Sequence, residues 1–154
     1  MKMHRKLKKH GDDVAAKIIS AIKNPLVANP SWVNDVPYLG GVYVLWKKFS
    51  KSWTPIYVGE SSNLNDRLAE MTCLGRHNAL WKLTDKEGIK IRNISILKLP
   101  EIKGITISYI VLPIGRKEAE EFLIHLWRKE VKLNKNDKRF ARRSDWNAFE
   151  ALQK

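Results

Sequence analysis

Cysteine is almost absent: Cys73 is the only one in 154 residues. One thiol makes no internal disulfide and no multi-cysteine zinc site, which excludes a disulfide-stapled scaffold and a zinc finger. Long apolar runs are missing as well. None reaches the ~18–20 residues that a helix needs to cross a bilayer, so no membrane partner is expected. The first ten residues, MKMHRKLKKH, look like the charged start of a signal peptide, but Asp12, Asp13 and Lys17 stand where its apolar segment belongs. The sequence has no P-loop, no glycine-rich dinucleotide turn after a strand and no HExxH pair. His4, His10, His77 and His125 are scattered without ligand spacing. Nucleotide-cofactor and zinc enzymes are therefore disfavoured. Acidic residues are scarce relative to basic ones: 16 Asp and Glu against 29 Lys and Arg leave a net charge of +13. Such a surface attracts polyanions, and nucleic acid is the commonest one in a cell. The expectation is a reduced, cytoplasmic, basic protein.

What is present is a globular balance, 44% hydrophobic and 29% charged, which separates the chain from disordered sequences. Its length suits one domain burying roughly two-thirds of its unfolded surface. Residues 1–36 read as a basic mobile arm (1–10), a helix over about 13–23 and most of a connecting loop, which runs over 25–39 with Pro25, Pro30 and Pro37. Asp12 or Asp13 would cap that helix, and Val14, Ile18, Ile19 and Ile22 would form its buried stripe. Trp32 and Val33 would pin the loop. From Gly41 the period changes to two, with Val42, Val44 and Trp46 on one face and Gly41, Tyr43 and Leu45 on the other. A polar turn, KKFSKSWTP, and a second strand over about 56–59 complete an antiparallel hairpin. Ser61, Ser62 or Asn63 would cap a helix starting near Leu64. Residues 78–84 read as helical, ITISYIVL (105–112) as a third strand, and 116–130 as the strongest helix. The fold class is α/β, with helices on a short sheet. Residues 137–154 form a basic extension.

The hairpin puts Tyr43 and Gly41 on one face, with Tyr57 and Gly59 on the same face if the register aligns. Glycine inside a strand marks close approach of a ligand or another backbone. The opposite faces, Val42/Val44/Trp46 and Ile56/Val58, read as core. In the next helix, Leu64, Leu68 and Met71 form the buried stripe, and Arg67 at its edge can reach over the hairpin and fork a phosphate. In 116–130, Ala119, Phe122, Leu123, Leu126 and Trp127 cluster on one side. Glu120 lies at the inner margin of that face, Glu118 at the other margin, and Glu121 points to water.

Together these residues resemble the GIY-YIG nuclease superfamily, with Gly41-Val42-Tyr43 similar to its first motif and Tyr57-Val58-Gly59 to its second. Glu60 to Leu64 with Arg67 is similar to the family's loop, helix start and arginine. Ala119 to Ile124 is similar to the helix with the metal-binding glutamate, and Val131-Lys132-Leu133-Asn134 to its closing segment, with valine in place of proline. The resemblance covers about residues 37–136. It implies a three-stranded antiparallel sheet flanked by helices, here with an extra N-terminal helix, and an endonuclease that hydrolyses phosphodiesters. It also implies a site in which Glu120 holds magnesium, or another divalent metal such as manganese. Tyr43 would be the general base or position the water, Arg67 would stabilise the phosphate, Tyr57 would join the network and Asn134 would orient its neighbours. A free phenol has a pKa near 10, so Tyr43 needs a nearby cation, Arg67 or the metal-bound water, to act at neutral pH. The family's tyrosine or histidine one turn after the arginine is Met71 here. Lys48, Lys51 and His77 are the stand-ins for its proton-shuttling role.

The partner expected is double-stranded DNA, bound by a monomer or homodimer. Lys2, Arg5, Lys6, Lys8 and Lys9 form one basic cluster, and Lys135, Lys138, Arg139, Arg142 and Arg143 another. Lys48, Lys51, Arg76 and His77 complete the candidate contacts with phosphates. The rival reading keeps the fold and the basic surface without catalysis.

Overall fold

The computed structural model describes residues 2–21, 26–27, 34–72 and 104–134, with the backbone alone for 2–7, 26–27, 71 and 72. In chain order these form α1 (Lys2–Ala21), β1 (Leu26–Val27), β2 (Gly41–Phe49), β3 (Ser52–Ser61), α2 (Leu64–Thr72), β4 (Ile105–Val111) and α3 (Arg116–Leu126). A 3-10 turn, Lys132–Asn134, follows. The strands β4, β2 and β3 make an antiparallel sheet with β2 in the middle. The class expected from the sequence is thus observed, with one addition. The two residues of β1 pair antiparallel with β4 (Leu26 opposite Ile107), inside the segment expected to be wholly loop.

Alternation along β2 sorts the side chains into two layers, as its sequence pattern requires. Val42, Val44, Trp46 and Val58 form one buried cluster with Val14, Ala15 and Ile18 of α1 and Ala119, Leu123 and Ile124 of α3. Trp46 stacks edge-on to Trp127 at 5.4 Å, and its Nε1–H donates to Ser108 Oγ at 2.7 Å. The indole is therefore buried with its polar handle satisfied. On the other face, Leu64 and Leu68 of α2 are fully buried beside Tyr43 and Leu45.

Four expectations need correction. Residues 2–10 are not an arm, because α1 runs unbroken from Lys2 and contains Asp12 and Asp13 instead of being capped by them. Buried positions at Gly11, Val14, Ala15 and Ile18 carry the packing one turn earlier than the aliphatic residues alone announce, and Gly11 lies against the Phe122 ring. Ile19, counted in the stripe, is 48% exposed. The hairpin is longer than its apolar core: KKFSKSWTP is mostly strand, closed by a two-residue turn at Ser50 (φ 53°) and Lys51. Cross-strand contact extends it, with Lys48 Nζ 5.8 Å from the Trp53 ring centre opposite. Pro55 is tolerated inside β3 because β3 is an edge strand and carries a bulge there. Leu45 pairs with Tyr57 and Trp46 with Pro55, skipping Ile56. Finally, α3 stops at Leu126, which is exposed, and residues 127–130 are turns.

The helix expected at 78–84 and the pinning residues Trp32 and Val33 lie outside the described residues, as do Ile22 and Cys73. Among the described residues no helix is long and apolar enough to cross a membrane.

Candidate active site

Tyr43 occupies the middle strand, with Gly59 opposite it on β3 and Tyr109 opposite it on β4. The phenol lies across β3 where a side chain is missing: a Cβ on Gly59 would sit 2.5 Å from both Cζ and Oη of Tyr43. At Gly41, a Cβ would run into the Ile110 carbonyl oxygen and Leu64 Cδ1. Both motif glycines thus permit a close approach, the first of backbone and helix, the second of a buried ring. Tyr57, diagonal to Tyr43 on the same face, has its ring centre 6.1 Å away.

The helix start after β3 is built by local polar side chains. Asn63 is the cap, accepting the Asp66 N–H at Oδ1 (3.3 Å), while Ser61 Oγ accepts the Asn63 N–H (3.1 Å). With Leu64 and Leu68 anchored in the core, Arg67 falls on the rim of the face that holds Tyr43. Its Nε–H donates to Tyr43 Oη at 3.3 Å and its Nη1–H to Glu70 Oε2 at 2.8 Å. The Arg67–Glu70 pair is about one-third exposed and one helical turn apart, so its stabilising value is only ~0.2–0.5 kcal/mol.

Burial raises the pKa of Tyr43 far above that of a free phenol, and the neighbouring Tyr57, to which it is hydrogen-bonded, adds to the rise. Arg67 opposes this by charge and hydrogen bond and is outweighed. Burial alone would lower the pKa of Arg67, but Tyr43 and Glu70 outweigh it and hold the guanidinium firmly charged. The three residues therefore form a chain in which Arg67 is a fixed cation and Tyr43 a neutral phenol at any physiological pH. Arg67 by itself does not supply the bias that general-base chemistry at Tyr43 needs.

Comparison of the chain with protein-family models, with curated proteins and with solved structures finds no match. Residue roles rest on this geometry.

Asn134 is drawn to the hairpin in a different way. Its Oδ1 accepts the Val58 N–H at 2.9 Å and its Nδ2 donates to the Val58 carbonyl at 2.8 Å. The side-chain amide imitates one residue of a neighbouring strand on the outer edge of β3, beside Tyr57 and Gly59. Val131, where the sequence resemblance would have proline, is fully buried in the core cluster, so the segment reaches Asn134 without a proline.

Glu120 is 2% exposed, on the helix that packs along β3. Its phase on α3 is as expected, and Glu118 is exposed, but Glu121 is half-buried instead of pointing to water. A structural ion pair with Arg67 is the alternative to metal binding for a carboxylate so placed, but the ion pair that Arg67 makes is with Glu70. Arg116, one turn before Glu120, binds Glu60 Oε2 through Nε–H at 2.8 Å and so ties the start of α3 to β3.

Lys48 and Lys51 sit at the hairpin tip. Five residues of extended strand put Lys48 roughly 17 Å from Tyr43, so neither lysine can shuttle a proton there. Both are exposed and remain available to a polyanion. Arg76, His77, Lys135, Lys138, Arg139, Arg142 and Arg143 lie outside the described residues, and so does the Met71 side chain.

The sequence reading missed Tyr109 and Glu70. The Tyr109 hydroxyl donates to the Asp35 carbonyl at 3.1 Å, and burial followed by Asp35 raises its pKa. Its place beside Tyr43 depends on the β2–β4 register, which no local signal reports. Glu70 had a legible signal, the i,i+3 spacing from Arg67.

Proposed function

We propose that the protein is a metal-dependent DNA endonuclease with a GIY-YIG-type site at the Arg67–Tyr43–Tyr57 chain. The observation that carries this reading is the 3.3 Å contact from Arg67 Nε to Tyr43 Oη, which joins two motifs far apart in sequence around a glycine-cleared phenol. In this reading Arg67 meets the non-bridging oxygens of the scissile phosphate, where charge grows as water adds to phosphorus. Tyr43, neutral and held by Arg67, positions groups by hydrogen bonding, and Tyr57 fixes the orientation of its hydroxyl. Asn134 acts indirectly, by keeping the edge of β3 closed and straight beside Tyr57.

The donor chemistry fits magnesium or manganese. Glu120 is the one acidic side chain buried among the described residues, and a hard carboxylate oxygen is what these cations prefer. Among the described residues no group of three or more His, Cys, Asp or Glu is gathered, so such an ion would take its other ligands from water and substrate. When bound by Glu120, the ion would supply Lewis-acid polarisation and a water acidic enough to attack at neutral pH. The +13 charge, with Lys48 and Lys51 on the hairpin tip, supports a duplex partner.

The rival reading, a catalytically silent nucleic-acid-binding domain, is favoured by one observation: Tyr43 is fully buried. Supercoiled plasmid incubated with the protein separates the two. Nicking is expected with magnesium and none with EDTA. Glu120→Gln, which keeps the side chain's shape and an acceptor oxygen, should abolish it while a cooperative thermal unfolding transition is retained. An intact plasmid in both magnesium and manganese, with DNA still bound, leaves the silent domain standing.

A further inference from the structure

We infer that Glu70 is the positioning residue that aims Arg67 at the phosphate, an inference that rests on the endonuclease reading of the same site. A free arginine side chain samples many rotamers, and a cation that must meet one phosphate oxygen benefits from having few. Two anchors remove that freedom here. Tyr43 Oη holds Nε from the sheet side, and Glu70 Oε2 holds Nη1 from the next turn of α2. The guanidinium is planar, so fixing two of its nitrogens fixes the third. Among the described residues, Nη2 donates to no protein acceptor, and the side chain is 32% exposed. The outcome is a fork with two prongs tied on a side chain that is one-third exposed.

Glu70 also suits this duty energetically. It is 37% exposed and contributes little to the fold, so retaining a carboxylate beside the phosphate-binding cation is not explained by stability. Nor is it helpful for bare electrostatic attraction of DNA, which a negative charge opposes. Its distance to Nη1 makes sense as orientation.

The test uses the full chain and two substitutions, Glu70→Ala and Glu70→Gln, with Glu118→Gln on exposed α3 surface as a control for loss of one negative charge. Single-turnover cleavage and DNA affinity are measured together with hydrogen exchange of the Arg67 Nε–H by NMR. Glu70→Ala should cut about 10–10²-fold more slowly with DNA affinity equal to that of Glu118→Gln, and its Nε–H should exchange faster. Glu70→Gln keeps an acceptor and should recover most of both. Faster cutting or tighter DNA binding in Glu70→Ala than in the control would show Glu70 to be a competitor for the phosphate and overturn the proposal. So would an unchanged Nε–H exchange rate in Glu70→Ala. If the parent protein cuts nothing, the endonuclease reading fails, and the exchange rates still decide whether Glu70 positions Arg67.

Discussion

The two faces of the β2–β3 hairpin are built from the same backbone and alternate residues, yet they solve opposite problems. On one face Val42, Val44, Trp46 and Val58 meet α1 and α3 through aliphatic and indole contacts. Such a surface is non-directional, and many side chains of the right volume would serve. On the other face a phenol is buried without loss only because a guanidinium and a second phenol satisfy it. That arrangement is directional and depends on a missing side chain at Gly59. A protein under pressure only to fold has little reason to build the second face. The contrast separates the residues that hold the chain together by packing from those held in a directional polar chain, to which the proposal assigns a chemical task.

The sharpest way to break this contrast pairs one substitution from each face. Leu123→Ala, in the fully buried cluster, should cost ~2–5 kcal/mol of unfolding free energy in urea while the folded fraction cuts normally. Tyr43→Phe removes a positioning hydroxyl and should lower single-turnover cleavage by ~10–10²-fold, equivalent to about 1.4–2.7 kcal/mol of barrier. Its own loss of stability should stay near the ~0.5–1.5 kcal/mol of a hydrogen bond, because Arg67 can turn to water. If the folded Leu123→Ala protein is dead, or Tyr43→Phe is fully active, the two faces do not divide the labour as described.

Gly59→Ala probes the point where both demands meet. One methyl group would have to displace the Tyr43 ring, which is fully buried. A destabilisation of ~1–3 kcal/mol is expected, as for overpacking elsewhere. The diagnostic part is that Phe at position 43 should soften the clash only slightly, since Cζ is as near as Oη. A double-mutant cycle in urea measures this, and a Gly59→Ala protein of full stability and activity would show that the ring has space.

The smallest effect is a pH dependence. Because Tyr43 is more basic folded than unfolded, its contribution is complete below the unfolded value near 10 and is lost as pH rises through the folded value. Above about pH 10 this group should take up to ~1.4 kcal/mol of stability per pH unit. Tyr43→Phe should lack that increment while retaining the part due to other groups. Identical stability curves for the two proteins between pH 9 and 11 would mean that Tyr43 is not buried as a neutral phenol.

Much of the Tyr43 face and of the candidate site was legible beforehand because its signals are local. The period of two fixed which hairpin residues share a side, and Asn63 was among the residues expected to cap α2. The i,i+4 spacing of Leu64 and Leu68 put Arg67 on the rim of the buried stripe. The phase of α3 set Glu120 at the inner margin of its apolar face, where it is buried, but sent Glu121 to water, where it is half-buried. The longer hairpin was not legible, since Lys47, Lys48 and Lys51 read as a turn until Trp53 is seen beside Lys48 across the strands. Nor was the first half of α1, residues 2–12, whose charged turns read as an arm and gain their packing from Gly11 against Phe122.

By itself, then, the sequence determined the class of fold, the sidedness of the hairpin strands and the strongly positive charge, because each follows from residue type and short-range spacing. Only the tertiary structure decided who meets whom. It placed Tyr109 beside Tyr43 through the β2–β4 register and turned Asn134 into a clamp on Val58 from seventy-six residues away. It also gave Arg67 to Tyr43 and Glu70 instead of to Glu120. Above all it decided that burial outweighs the arginine at Tyr43. Desolvation is a property of everything packed around a group, and no stretch of sequence holds that sum.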